Sequence, residues 1–185
     1  MELWINKVIQ RKHRMKIYIV GAVSSGKSTL AKKLSKASGI PFRSLDEVVH
    51  IPDSSNPWGN MKRQAEERDK LFSSIIQESD WIIEDVGRPC FEAGMKESDT
   101  IVLLEIPSSI RNFRIIKRWI RQRLGLEECF YTPSIKMLRS MLKWSRDYDL
   151  QKDGLKSRID RYSGKVVKLG GNKDIEAFLD TIGEQ

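Results

Sequence analysis

The chain is poor in the residues that build stapled or metal-held folds. Cysteine occurs only twice, at Cys90 and Cys129, far apart and in no C-x-x-C spacing. That argues against a disulfide framework and against a zinc site. Of its two histidines, His13 stands in a basic stretch, where a solvated side chain is the ordinary outcome. No apolar run approaches the ~18 residues that a membrane-spanning helix needs. No secretory leader is recognisable, so a cytoplasmic protein without a membrane partner is expected. Internal repeats and low-complexity linkers are also missing, and a length of 185 residues fits one domain.

What is present is enough for a core: 39% hydrophobic residues, including five Trp and six Phe. The net charge of +8 attracts polyanions, but nucleotides and nucleic acids satisfy it equally. Charge alone therefore chooses no partner.

The decisive stretch is residues 17–29. Ile17 to Val20 form an unbroken apolar run, mostly β-branched, that suits a strand buried on both faces. Gly21-x-x-x-x-Gly26-Lys27-Ser28 follows at once, and then a helical run with Leu30 and Leu34 four apart. This is the phosphate-binding P-loop pattern in the strand–turn–helix context that it requires. Its glycines permit backbone angles and close approaches that a Cβ would block. The N–H groups of residues 23–28 can then cradle a phosphate at a helix N-terminus. Gly21, Ser24, Ser25, Gly26, Lys27, Ser28 and Thr29 are the expected nucleotide-binding set. Within it, Lys27 supplies a cation to the β- and γ-phosphates and Ser28 a hydroxyl to Mg²⁺.

The rest of the chain alternates strands and helices. Residues 1–15 read as a basic, loosely amphipathic arm with Leu3, Trp4, Val8 and Ile9 among its cations, and residues 16–185 as the domain. Phe42 to Leu45 reads as a second strand, with Asp46 at its C-terminal end, the edge where ligands gather in open α/β sheets. A loop over 52–60 precedes a helix from about Met61 to Glu78, with Leu71, Ile75 and Ile76 facing inward. Trp81 to Asp85 is a third strand ending in two carboxylates, the form of a Walker B strand; Glu84 is the first choice for Mg²⁺ and Asp85 the second. Thr100–Ile106 and Lys165–Leu169 complete five strands, and a last helix covers 174–179. The alternation predicts one doubly wound parallel α/β sheet.

Between the last two strands lie two helices. The first, about 108–124, carries Phe113, Ile116, Ile120 and Leu124 on one stripe, expected to be the buried one. Arg114, Lys117, Arg118 and Arg121 share another stripe, flanked by Arg111 and Arg123. A charged helix face is ordinarily just solvated. Six cations with no acid repel one another, however, and a polyphosphate would offset that cost. A phosphate clamp is the favoured reading. The second helix, 134–150, is capped by Ser134 and buries Met137 or Leu138, Met141, Trp144 and Tyr148, while Arg146 near its end is placed to face the phosphates.

With these residues in hand, the chain over about 15–180 resembles the adenylate-kinase-like small P-loop kinases, and in particular the subgroup labelled DNA topology modulation proteins. The resemblance implies a three-layer P-loop NTPase fold with sheet order 2-3-1-4-5 and a helical lid at about 114–150. It also implies transfer of the ATP γ-phosphoryl to a small acceptor. In nucleoside monophosphate kinases an Asp-Gly-x-Pro-Arg motif places its arginine on the acceptor phosphate, and Arg88 matches that position. The lid arginines match Arg118, Arg121 and Arg123, and Asp46 resembles the aspartate that holds or deprotonates an acceptor hydroxyl. Here Glu84-Asp85 replaces Asp-Gly, no proline precedes Arg88, and neither a full monophosphate-binding loop nor a zinc-binding lid is recognisable.

The expected catalytic group is therefore Lys27, Asp46, Arg118, Arg121 and Arg146, with Arg118 also on the nucleotide. Ser28, Glu84 and Asp85 are expected at the metal, and Asp46 and Arg88 at the acceptor. ATP and Mg²⁺ are the expected cofactors. A nucleotide or nucleoside is the preferred acceptor and a hydroxylated metabolite the alternative. A nucleotide-gated nucleic-acid-binding protein, using the arm and the arginine helix on phosphate backbone, is the rival from another class. A nucleotide-binding regulator with little turnover is the third reading.

Overall fold

Residues 15–56, 59–127, 129 and 131–183 are described by a computed structural model; the arm expected at 1–15 lies outside them except for Met15. In chain order the elements are β1 (Lys16–Gly21), α1 (Lys27–Ser38), β2 (Phe42–Ser44), α2 (Leu45–Val49), β3 (His50–Pro52), β4 (Asn60–Lys62) and α3 (Ala65–Gln77). There follow β5 (Trp81–Asp85), α4 (Glu92–Glu97), β6 (Thr100–Leu104), α5 (Ser108–Arg123), α6 (Ile135–Asp149), α7 (Leu155–Asp160), β7 (Val166–Leu169) and α8 (Asn172–Gly183).

Five of these strands pair in parallel in the order β2-β5-β1-β6-β7. Counting only the strands of this sheet, that is the expected 2-3-1-4-5. The alternation of side chains across each strand fills two cores. Tyr18, Val20, Trp81, Ile83, Ile101 and Leu103 pack on one face against α2, α3, α4 and α7. Ile17, Ile19, Ile82, Val102 and Leu104 pack on the other against α1 and α8. The register aligns Val20 with Asp85, Gly21 with Leu104, and Ser44 with Glu84. The C-terminal ends of four strands thus come level, and the turn after β1 opens beside the two carboxylates. Met15 already belongs to this domain: its N–H donates to Asp80 Oδ1 at 2.6 Å, and its carbonyl accepts from the Trp81 N–H.

Several expectations need correcting. The stretch expected as loop and helix start instead holds a two-stranded antiparallel hairpin, β3 with β4, in which Met61 pairs with Ile51. The helix begins only at Ala65 and buries Phe72 and Ile75, leaving Leu71 exposed. Short helices α2, α4 and α7 were not anticipated, since segments of five or six residues carry too little periodicity to read.

The larger correction concerns α5. Its expected inner stripe faces outward: Phe113 and Leu124 are both 66% exposed, and its buried residues are Arg111 and Ile115. The reason is the surface beneath. Arg111 donates to the carbonyls of Ile106 and Ser145, to Ser145 Oγ at 3.2 Å and to Asp149 Oδ1 at 2.6 Å. Buried acceptors beneath a helix select a guanidinium, because a buried acceptor left unpaired costs about 1–3 kcal/mol. Ile115 joins Met137 and Met141 in a small third core that ties α5 to α6. Ser134 caps α6 as expected, accepting from the Met137 N–H at 3.1 Å. Trp144, assigned to the inner face of α6, is half exposed, and the position one turn from Met141 inside that face belongs to buried Ser145.

Candidate active site

The P-loop folds as its spacing demands. Gly21 sits at φ +155°, and a Cβ there would lie 2.8 Å from the Leu104 carbonyl oxygen. Gly26 caps α1 at φ +103°, and Ser24 also takes a left-handed conformation at φ +57°. Lys27 opens α1 with its side chain turned back into the loop, where Nζ donates to the carbonyls of Gly21 at 3.1 Å and Ala22 at 2.9 Å. Burial lowers its pKa, and the nearby carboxylates of Glu84, Asp46 and Asp85 only partly restore it. A cleft of about 120 Å³ opens over the loop, lined among others by Ser24, Gly26, Lys27, Ser28, Thr29, Asp46, Glu84, Asp85 and Arg118. Ser25 is buried inside the loop, and its hydroxyl has no partner among the described residues.

The two carboxylates ending β5 are separated by what holds them. Ser28 Oγ donates to Glu84 Oε1 at 3.0 Å, and Ser44 Oγ donates to the same oxygen at 2.7 Å. Asp85 turns the other way. It accepts the N–H groups of Gly87 and Arg88 and one arm of the Arg88 guanidinium. The second arm of Arg88 pairs with Asp46 Oδ1. Burial works against the Arg88 charge, but Asp85 and Asp46 outweigh it and raise its pKa further. Strand pairing places Glu84 and Asp85, and Arg88 lies in the turn after β5, while Asp46 comes from the first turn of α2 rather than from the end of a strand.

The cations of α5 divide. Arg118 lines the cleft and forms an ion pair with Glu127 at 3.2 Å, and Arg121 shares that carboxylate at 3.3 Å. Lys117 is exposed, and Arg123 lies over the Trp119 ring, 5.6 Å from its centre. Arg146, expected to face the phosphates, is exposed on α6 and is absent from the lining of the cleft. The arginine that reaches the loop instead is Arg114, whose Nη1 donates to the Ser25 carbonyl at 3.1 Å. It shares the stripe of Arg118 and Arg121, so the pattern held the signal, but nothing in the spacing said which turn of the helix would lie over the loop.

No family model matches the sequence, and no curated protein does either. Solved structures do match. A shikimate kinase from Acinetobacter baumannii in complex with shikimate has a TM-score of 0.54 at 15% identity, over 95% of this chain and 93% of that one. A sugar kinase from a Janibacter species has a TM-score of 0.53 at 15% identity, over 92% of this chain and 97% of that one. A gluconokinase from Sinorhizobium meliloti has a TM-score of 0.50 at 15% identity, over 94% and 96%. The fold is that of the P-loop small-molecule kinases.

The side chains gathered at the ends of β1 and β5 stand at the C-terminal edge of the parallel sheet, the edge at which open α/β sheets receive ligands. Among the described residues no group of three or more His, Cys, Asp and Glu forms a metal cluster. The donor set is one serine hydroxyl with one carboxylate, which fits a hard divalent cation completed by phosphate oxygens and water. Among the described residues no helix is long and apolar enough to cross a membrane.

Proposed function

We propose that the protein transfers the γ-phosphoryl of Mg·ATP to a hydroxyl group of a small acceptor. The observation that carries this reading is the shared cleft. Buried Lys27 and the Ser28–Glu84 pair stand at its P-loop end, with Asp46 on the same lining. The loop also suits a polyphosphate: its two glycines take positive φ angles that let the turn run from β1 into α1, with Gly21 packed against the Leu104 carbonyl. Mg²⁺, when bound with ATP, neutralises charge on the β- and γ-phosphates.

The chain's own residues supply the rest. The P-loop amides and Lys27 bind the phosphate tail. Ser28 and Glu84 hold the cation, with Asp85 excluded from that duty by its bonds to Arg88. Arg118 reaches over the cleft once it leaves Glu127, an exposed pair worth at most about 1 kcal/mol. Asp46 receives the acceptor's proton as the acceptor oxygen bonds to phosphorus and the bond to the β-phosphate bridge breaks, releasing ADP.

The acceptor is read from Arg88. Its guanidinium is engaged by two carboxylates, one of them with a fully buried side chain. A monophosphate acceptor would have to compete with both. That favours a neutral hydroxyl group, of a nucleoside or a hydroxylated metabolite, over a nucleoside monophosphate. Shikimate kinase and gluconokinase are named for hydroxylated acceptors, which is consistent with this choice. No residue in the cleft speaks for membership of the DNA topology modulation subgroup.

Incubation with Mg·ATP and a panel of nucleosides, nucleoside monophosphates, polyols and sugar acids, followed by ADP release, tests the reading. The expected result is release that depends on a hydroxyl acceptor and is lost in Asp46→Asn while ATP binding persists. Preferential phosphorylation of a nucleoside monophosphate would return Arg88 to the acceptor phosphate. Failure of ATP to bind at all would remove the function.

A further inference from the structure

The outer edge of α5 is apolar and bare. Ile110, Phe113, Ile116, Ile120 and Leu124 are 44, 66, 43, 45 and 66% exposed. Spacings of three and four residues place them on one side of the helix, opposite buried Arg111 and Ile115. Lys117 lies within this ridge and Arg123 stands on one flank, while Arg121 on the other flank is paired with Glu127. The helix contains no acid, and no salt bridge joins Lys117 or Arg123 to a described carboxylate. Apolar side chains in a continuous exposed row mark an interaction surface rather than chance.

We propose that this ridge docks the protein on an anionic lipid surface. Charge and shape decide the occupant. A second copy of the chain, packed ridge to ridge, would set Lys117 and Arg123 against the same cations, a like-charge contact that opposes pairing. A partner helix is received by a groove, whereas this is the convex edge of a single helix. A bilayer surface meets both requirements at once. The apolar row enters the acyl boundary, while the long side chains of Lys117 and Arg123 extend to the phosphate headgroups. The net charge of +8 draws the protein to such a surface from a distance. Because the docked edge is opposite the side of α5 from which Arg111 reaches inward, docking leaves the P-loop cleft uncovered.

The test is co-sedimentation of the full chain with vesicles of phosphatidylcholine, alone or mixed with phosphatidylglycerol. Binding to the mixed vesicles only is expected. Phe113→Ser combined with Leu124→Ser keeps every charge and touches no core residue. It should weaken partitioning by about tenfold or more with an unchanged circular dichroism spectrum. Lys117→Glu should weaken it by a few-fold. Equal binding by the double serine variant would overturn the proposal, since attraction would then rest on charge elsewhere. Absence of binding to anionic vesicles would overturn it too. So would a dimer, seen by sedimentation velocity, that the same double variant dissociates. Binding of a Glu-rich amphipathic peptide by a protein that ignores vesicles would reassign the ridge to a protein partner.

Discussion

Two cationic regions meet over the cleft, and they hold their charge in opposite ways. At the P-loop, Lys27 is buried and pinned by two carbonyls of its own turn, in a loop whose glycines sit at angles other residues avoid. On α5, Arg118 and Arg121 are about half exposed and share a single carboxylate from the following loop. The first region is built before any ligand arrives; the second can be drawn from Glu127 at little cost. Preorganised charge of the first kind suits binding, and mobile charge of the second kind suits closing over a group in transfer.

Three variants test that contrast. The sharpest is Lys27→Ala, which should lower kcat/KM for phosphoryl transfer by on the order of 10³-fold or more in a chain that still melts cooperatively. ADP release and a thermal melt check both halves; near-normal turnover in a folded variant would contradict the fixed-charge account. Next is Arg111→Met, which keeps the volume of the anchor but strips its donors from the carbonyls of Ile106 and Ser145. A loss of about 2–4 kcal/mol in urea unfolding is expected. A loss under about 0.5 kcal/mol would mean that the small Ile115–Met137–Met141 core alone seats the helix pair. The smallest is Arg118→Ala, expected to cut kcat by more than about tenfold with ATP Kd little changed. An effect on Kd alone would move Arg118 from closure to ground-state binding.

The same contrast explains what could be read in advance. The P-loop was legible because its chemistry is local: each glycine, the lysine and the serine act within one turn, and chain neighbours supply the strain and the hydrogen bonds. Glu84 was legible by the same logic, as the last apolar-flanked position of a buried strand. The order of choice put Glu84 ahead of Asp85, but what holds the two apart was not legible: Ser28 and Ser44 lie on one side and Arg88 turns back on the other. Arg88 was expected at the acceptor, and its two carboxylate partners appear only when β5 and α2 come together.

Sequence alone determined the parallel sheet and the position of the glycine-rich turn, because buried strands and tight turns are written in adjacent residues; the strand order was implied by the resemblance. Tertiary structure decided which way α5 faces. Its two stripes were both plain in the pattern, but acceptors at Ile106, Ser145 and Asp149 hold the arginine inward and leave the apolar row to solvent. A helix records what its faces are; only the surface beneath it chooses between them.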